Sequence, residues 1–460
     1  MNPYTRTCRA IAVAAFVLGV GGVGHAQTPD ADAALTARIA ELENKSSRDD
    51  DRIAALERRL TSLDAADRNW LTYRRAEEIR TIVEDVLADA DTRTSTLGNI
   101  TAGYRDGAVI SSKNGDSKLR TNFFLQPRFV LNSQSNSPDD PSIWGFEVAR
   151  AKFILSGTVV SREWFYLMSI ELGGVNVDLP NGESRTGLLE AYAGYDFDNG
   201  WKATVGTFKM PVLREELVDA RYQLAVERSV TNYLYTAGYT DGLTVEYTGD
   251  KLHFVGSFNN GMNDDLYGGT IMTGGTSIIT GAIADFAVSA RVEWLFDGEW
   301  DQFKDFTSPK GSDRAMMFGG AILVQTGSDN IDLLVFTADF SGEFDGWNVF
   351  GALTFTRADG PGLSVSPLAL VAQGGYYLAD DLEAFARFEW SDTDTLFTDN
   401  LLIVTGGVTK YFERHNAKWT TDIGFGLEPV PVTVPITDWR ADSAGSSGQF
   451  VIRSQLQLAF

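Results

Sequence analysis

From about Arg120 to Phe460 apolar and polar side chains alternate in short runs, and the last run shows the pattern most plainly. In Gln449-Phe450-Val451-Ile452-Arg453-Ser454-Gln455-Leu456-Gln457-Leu458-Ala459-Phe460, an extended chain puts Phe450, Ile452, Leu456, Leu458 and Phe460 on one side and Arg453, Gln455 and Gln457 on the other. A period of two is strand periodicity, because successive side chains of a strand point to opposite faces. The alternation predicts about sixteen strands, at 120–131, 145–157, 163–172, 187–197, 201–208, 242–249, 251–259, 284–296, 314–326, 330–340, 345–357, 367–379, 381–391, 401–412, 416–427 and 449–460. Most are as long as the roughly 9–11 residues a tilted strand needs to cross a bilayer.

The connections alternate too. Short links at Thr158 to Arg162, Asp198-Asn199-Gly200, Asp250, Gly342 to Gly346, Asp380 and Glu413 to Asn416 take turns with longer ones, the longest from Lys209 to Asp241. Short turns on one rim and long loops on the other fit an all-β transmembrane antiparallel barrel, whereas a soluble sandwich has no reason for the asymmetry. The link from Asp297 to Asp313 is too long for this rule and the one near Gly327 too short, which leaves the register across 284–340 open. Trp164, Tyr166, Trp201, Trp294, Phe296, Trp390, Trp419 and Phe460 lie near segment ends on the apolar face, where a membrane barrel carries its aromatic girdles.

The N-terminal part has a different period. Arg6 and Arg9, a small apolar stretch from Ala10 to Val23 and Gly24-His25-Ala26 read as a signal peptide, residues 1–26. Leu35, Ile39, Leu42, Ile53, Leu56, Leu60 and Leu63 follow at spacings of four and three, interrupted where Ser46 and Asp49 occupy the same seam. Such a seam predicts an α-helical coiled-coil segment within a stalk spanning 27–99. A second helical stretch, with Ile79, Val83, Val86 and Leu87, leads to a barrel domain spanning 100–460.

Composition narrows the chemistry. The chain has no run approaching the roughly 20 apolar residues of a membrane helix, so any span must be made of strands. The single cysteine, Cys8, falls in the leader, and His25, His253 and His415 have no metal-ligand spacing, so neither a disulfide scaffold nor a metal or other cofactor is expected. Gly268-Gly269 and Gly274-Gly275 lack the following helix and the Lys-Ser/Thr pair of a phosphate-cradling loop, and no enzymatic constellation stands out. A formal charge of −23 argues against a nucleic-acid partner. Asp139-Asp140 and Asp264-Asp265 read as solvated loop charges or as ligands for calcium or lipid-bridging cations.

If the apolar face meets lipid, the other face lines a lumen, and about sixteen strands leave room for an aqueous channel. Arg128, Arg150, Lys152, Lys202, Arg291, Arg387 and Arg453 then point inward, opposed by Glu171, Glu190, Glu293 and Glu389. Arg or Lys on the lipid face costs about 2–4 kcal/mol at mid-depth, which assigns these charges to the inside. Either they guide a solute or they pair across strands into a neutral, solvated lining.

Two stretches carry a family resemblance. Arg150-Ala151-Lys152-Phe153-Ile154-Leu155-Ser156-Gly157 and, more specifically, Val205-Gly206-Thr207-Phe208-Lys209-Met210-Pro211, continuing to Glu216-Leu217 and Val226-Glu227-Arg228-Ser229, resemble the phosphate-selective porins, trimeric sixteen-stranded channels of the outer membrane. The second stretch matches the family's Gly-x-Phe-Lys-x-Pro strand end and its Glu-Leu and Glu-Arg-Ser pieces, which lead into a loop that folds inward and narrows the channel. The family often has Gly-Arg-x-x-Gly before the sixth strand, whereas this chain has Gly238-Tyr239-Thr240-Asp241-Gly242 and lacks that positive charge.

The resemblance implies a homotrimer in outer-membrane lipid, with the stalk in the periplasm, passing small ions such as phosphate. Arg128, Arg150, Lys152, Lys209, Arg228, Arg291 and Arg387 would then be the pore-lining, anion-guiding residues, and the loop from Lys209 to Asp241 would set the bore. Two alternatives stay open. The acidic excess suits a general or cation-preferring porin, and the stalk suits a structural tether that contacts the cell wall.

Overall fold

The structure, a computed structural model, describes residues 100–460 apart from 105, 135–141, 174–186, 237, 262–283, 328–331, 395–399 and 443–446. The signal peptide, the coiled-coil stalk and the Asp139-Asp140 and Asp264-Asp265 pairs lie outside the described residues. A small hairpin, β1 (Ile100–Tyr104) and β2 (Ala108–Ser112), comes first. It is followed by β3 (Lys118–Ser133), β4 (Ser142–Val159), β5 (Ser161–Gly173), β6 (Gly187–Asp196), β7 (Trp201–Lys209), β8 (Tyr239–Thr248), β9 (Leu252–Asn259) and β10 (Ala284–Asp297). The second half comprises β11 (Ala315–Gly327), β12 (Asp332–Phe344), β13 (Trp347–Gly360), a short β14 (Leu363–Val365), β15 (Leu368–Ala379), β16 (Leu382–Asp392), β17 (Leu401–Glu413), β18 (Ala417–Gly426) and β19 (Phe450–Ala459).

Every neighbouring pair is antiparallel, and β19 pairs back onto β3 from Phe450↔Ser133 to Ala459↔Phe124. The sheet therefore closes. β1, β2 and β14 lie outside the closed ring, which leaves sixteen of the nineteen strands in the wall. Reciprocal hydrogen bonds seal the seam at the C-terminus, Phe123 N–H to Phe460 O at 2.6 Å and Phe460 N–H to Phe123 O at 2.9 Å. Closure leaves no open edge, which is the condition for a sheet to stand in lipid.

The expected strands coincide with these sixteen to within a few residues, including the stretch whose register the sequence left open. There β10 pairs β11, β11 pairs β12 and β12 pairs β13 in unbroken antiparallel order. The β1–β2 hairpin, which extends the sheet from the start of β3, was not anticipated. Tight turns need left-handed backbone, and glycine supplies it at Gly200 (φ 86°) and Gly346 (φ 79°).

The outer face is apolar as expected. Trp164, Trp201, Trp294, Phe296, Trp419 and Phe460 are exposed there, and Tyr166 and Trp390 are partly covered. The interior departs from expectation. Beside the charged side chains, the inner face of one sector is apolar, with Ala321, Leu323, Leu333, Val335, Leu401 and Ile403 buried. In β11 the run Ala321-Ile322-Leu323-Val324 is apolar on both faces, Ile322 and Val324 outward and the other two inward. What the inner apolar residues pack against is chain folded into the lumen.

Candidate functional site

Among the described residues, three connections enter the barrel. The first, residues 210–238, joins β7 to β8 at the long-loop rim. Pro211 ends the strand because it has no N–H for the ladder, and Met210 N–H donates to Gly238 O at 2.9 Å to close the base. Inside the loop, a single turn, α1 (Arg214–Leu217), is followed by a 3₁₀ turn at Ala220–Tyr222, whose entry Asp219 fixes by accepting from Arg221 N–H at 2.9 Å. A second turn, α2 (Val230–Tyr235), is capped by Ser229 Oγ, which accepts from Asn232 N–H at 2.9 Å. Met210, Val212, Val218, Leu224, Val226, Val230 and Leu234 are all buried, so the loop packs as a core element rather than a surface loop.

Charges hold it in place, and Glu227 is the hub. Its carboxylate accepts two hydrogen bonds from Arg150, each 2.6 Å, and another from Tyr233 OH at 2.7 Å; Arg128 lies 3.5 Å away. Arg150 also donates to Gln126 and to Tyr233 OH. The wall is shaped for this contact. Pro127 sits at a register shift in which Gln126 faces Arg150 but Pro127 faces Val148, so Ala149 is an extra residue on β4. The bulge flips the alternation, turning both Arg150 and Glu147 inward, where Glu147 meets Arg128.

Burial alone would favour the neutral form of Glu227, but the Arg150 guanidinium, by charge and hydrogen bonding, with Arg128 and Arg228 behind it, holds this loop carboxyl well below the usual carboxylate range.

The other basic residues expected in the lumen are inside as well, and most serve the same loop. Arg228 donates to the backbone carbonyls of Glu215, Glu216 and Val218 at 3.1, 3.2 and 2.8 Å. Arg291 forms two 2.9 Å hydrogen bonds to Asp339, contacts Glu293 and donates to Val212 O at 3.0 Å. The space for its guanidinium exists because residue 319 is glycine; a Cβ there would stand 2.4 Å from Arg291 Nη2 and 2.6 Å from Asp339 Oδ1. Arg387 donates to Glu227 O at 2.7 Å and lies 2.9 Å from Glu389, whose other oxygen accepts from Thr231 N–H. Lys209 Nζ donates to Glu216 O at 2.9 Å. Lys152, 5% exposed, faces Glu171 across the β4–β5 pair, and Glu190 stands on neighbouring β6. Lys202 is different, with its side chain 41% exposed near a turn beside Asp196.

Two further inserts narrow the lumen. Residues 427–442 and 447–449, from the long-loop rim, are anchored by Arg128 and Asn132, which donate to Ile436 O and Asp438 O at 2.9 and 2.7 Å, and by Arg453, which donates to Thr437 O at 3.0 Å while paired with Asp422. Trp439 is buried among them. Residues 298–314 enter from the short-turn rim, which explains the link that was too long for the rule. Phe303 and Phe306 are buried, Phe306 packs on Phe350 with ring centroids 4.7 Å apart, and its N–H donates to Tyr222 O in the first insert at 3.4 Å. His415 lies 3.4 Å from Asp305 at the same level.

Sequence reasoning found the inward cations but missed several partners: Asp339, Asp422, Asp438, Glu215 and the organising role of Glu227. The clue to Glu227 was in view, since Glu216 and Glu227 stand in the motif stretches and carry charge inside a loop otherwise rich in apolar residues.

Comparison with known proteins agrees with this geometry. The family model described as phosphate-selective porin O and P matches residues 131–393. Among solved structures, an anion-selective porin from Comamonas acidovorans matches with a TM-score of 0.53 at 9% identity, covering 75% of this chain and 100% of that one. OmpF from Salmonella typhi, in a complex with daunomycin, matches at 0.52 and 13%, covering 78% and 100%. The trimer form of Vibrio cholerae OmpT matches at 0.49 and 13%, covering 74% and 99%. At such identities the likeness is one of fold alone. No curated protein matches the chain significantly. The family model spans more than half of the sequence, including the inward loop and most of the wall that holds it, and the chain belongs to the phosphate-selective porin O and P family.

Proposed function

We propose that this protein is a passive channel for small hydrophilic solutes with a preference for anions, phosphate among them. As a member of a porin family it is an outer-membrane β-barrel channel, not an enzyme. The observation that carries the reading is the inward loop, buried inside a closed wall and tied to it by Arg150, Arg291 and Arg387, so that solute must pass beside it. In this reading the long-loop rim faces outward and the short-turn rim faces the periplasm. Arg128, Arg150, Lys152, Lys209, Arg228, Arg291 and Arg387 supply local positive potential, which a low-dielectric passage focuses more strongly than remote surface charge. Family membership also supports three copies associating in the membrane.

A specific observation favours a second reading, a general or cation-preferring pore. Arg128, Arg150, Arg291, Arg387 and Arg453 each lie against at least one carboxylate, which offsets much of their field. The reversal potential of the purified protein across a potassium chloride gradient separates the two. The anion reading expects the sign set by chloride, and the opposite sign selects the cation reading.

A further inference from the structure

The inner face of the wall is covered unevenly. On β10 to β16 apolar side chains of that face lie beneath an insert; Leu295 and Met317 cluster with Phe303, and Phe350 and Phe385 with Phe306. On β4 to β6, on the short-turn side of Lys152, the inner side chains Ile154, Phe165, Leu167 and Tyr192 stay partly exposed instead. Strand pairing sets Ser156, Leu167 and Tyr192 in one inner row and Thr158, Phe165 and Gly194 in the next towards the rim, with Ile154 in the row above. Gly194 makes room for the Phe165 ring, which lies over it so closely that a Cβ there would collide with it. Tyr192 meets that ring edge-on, with centroids 6.5 Å apart. The wall thus carries an uncovered aromatic shelf.

Two charges stand beside it. Lys152 is two residues from Ile154 on β4, and Glu190 two from Tyr192 on β6, so both share the face of the shelf. Each is near enough to feel the other's charge, yet neither side chain makes a hydrogen bond or an ion pair within 4 Å among the described residues. Their charged neighbours are engaged. Glu171 accepts from Ala151 N–H at 2.7 Å, Lys209 donates to Glu216 O at 2.9 Å and Asp219 accepts from Arg221 N–H at 2.9 Å.

We infer that this shelf is a binding site for aromatic amino acids, solutes that carry a ring, an ammonium and a carboxylate together. The inference rests on the channel reading and not on the sign of the ion preference. The ring displaces water from Phe165, Leu167 and Ile154, which is favourable for apolar surface, and packs against Phe165 and Tyr192 in the offset and edge-on geometries that aromatic pairs prefer. Same-face residues recur about every 7 Å along a strand and strands lie about 4.8 Å apart, so the long side chains of Lys152 and Glu190 reach the edge of the shelf. There Lys152 donates to the carboxylate and Glu190 accepts from the ammonium, both charge-assisted hydrogen bonds. An inorganic anion engages Lys152 alone and leaves the shelf wet.

Block of single-channel current in planar bilayers tests this, with phenylalanine, alanine, 3-phenylpropionate and phenethylamine added in turn. Phenylalanine should halve the current at a concentration about tenfold below that of the other three, since each of them lacks the ring or one charge. Phe165→Ala should raise the half-blocking concentration of phenylalanine about tenfold and leave that of alanine unchanged. Glu190→Gln should raise it for phenylalanine and phenethylamine but not for 3-phenylpropionate. If a variant loses the heat-modifiable migration of the folded protein on gels, the order measured on the unaltered protein decides. Equal block by alanine and phenylalanine, no block by phenylalanine, or a folded variant with unchanged block overturns the inference and leaves the channel standing. Absence of any conductance steps overturns both.

Discussion

Glu227 sits where an ion pair does the most, away from bulk water, with two parallel hydrogen bonds to Arg150 and a tyrosine hydroxyl completing its shell. Its folded-state pKa is depressed, so the stability it contributes is complete above the unfolded value of about 4.3 and is lost as pH falls from there towards the lower folded value. Hydrogen-exchange protection of residues 226–236 should therefore be flat from pH 8 to about 5 and decline only in stronger acid. Loss of protection between pH 7 and 5 would show that another group holds the loop. Gly319 supports the second tie. In Gly319→Ala the new methyl group meets both Arg291 and Asp339, and displacing that buried pair should cost about 1–3 kcal/mol in unfolding experiments in detergent. An unchanged unfolding midpoint would mean the pair can shift freely.

At the scale of elements, the bulge in β4 has the clearest consequence. Removing Val148 and Ala149 together takes away one residue more than the bulge and turns residues on one side of the deletion, Glu147 among them, from lumen to lipid. Because each misplaced charge costs kilocalories at mid-depth, the deletion protein should fail to reach the compact, heat-modifiable form on gels, whereas Ala149→Ser, which keeps the count, should reach it. Folding of the deletion protein would contradict the assigned register. The same physics explains what the sequence disclosed. Strands were legible because alternation, aromatic ends and turn residues are local, and the inward basic residues because lipid excludes them. The partners were not, because Arg291 meets Asp339 across two strands and Arg150 meets Glu227 across the lumen, contacts set by barrel register and the loop's path. The apolar sector was hidden because Ala321-Ile322-Leu323-Val324 shows no alternation; its inner side chains pack on loop rather than face water.

For the whole molecule, a sixteen-stranded ring encloses a lumen that three inserts enter among the described residues, and the insert at 210–238 is held by ion pairs with the wall as well as by its buried apolar side chains. The barrel should therefore stay folded when that loop is loosened, since closure depends on β19 pairing β3 and not on the loop. Removing one partner of a buried ion pair leaves the other charge uncompensated, at about 3–5 kcal/mol, enough to release the loop for part of the time. The most direct test is single-channel conductance of the purified protein beside its Glu227→Gln variant. The unaltered protein should give small, uniform conductance steps, and the variant larger and noisier ones. No steps from the unaltered protein, or steps of equal size from a folded variant, would contradict a channel whose bore is set by this loop.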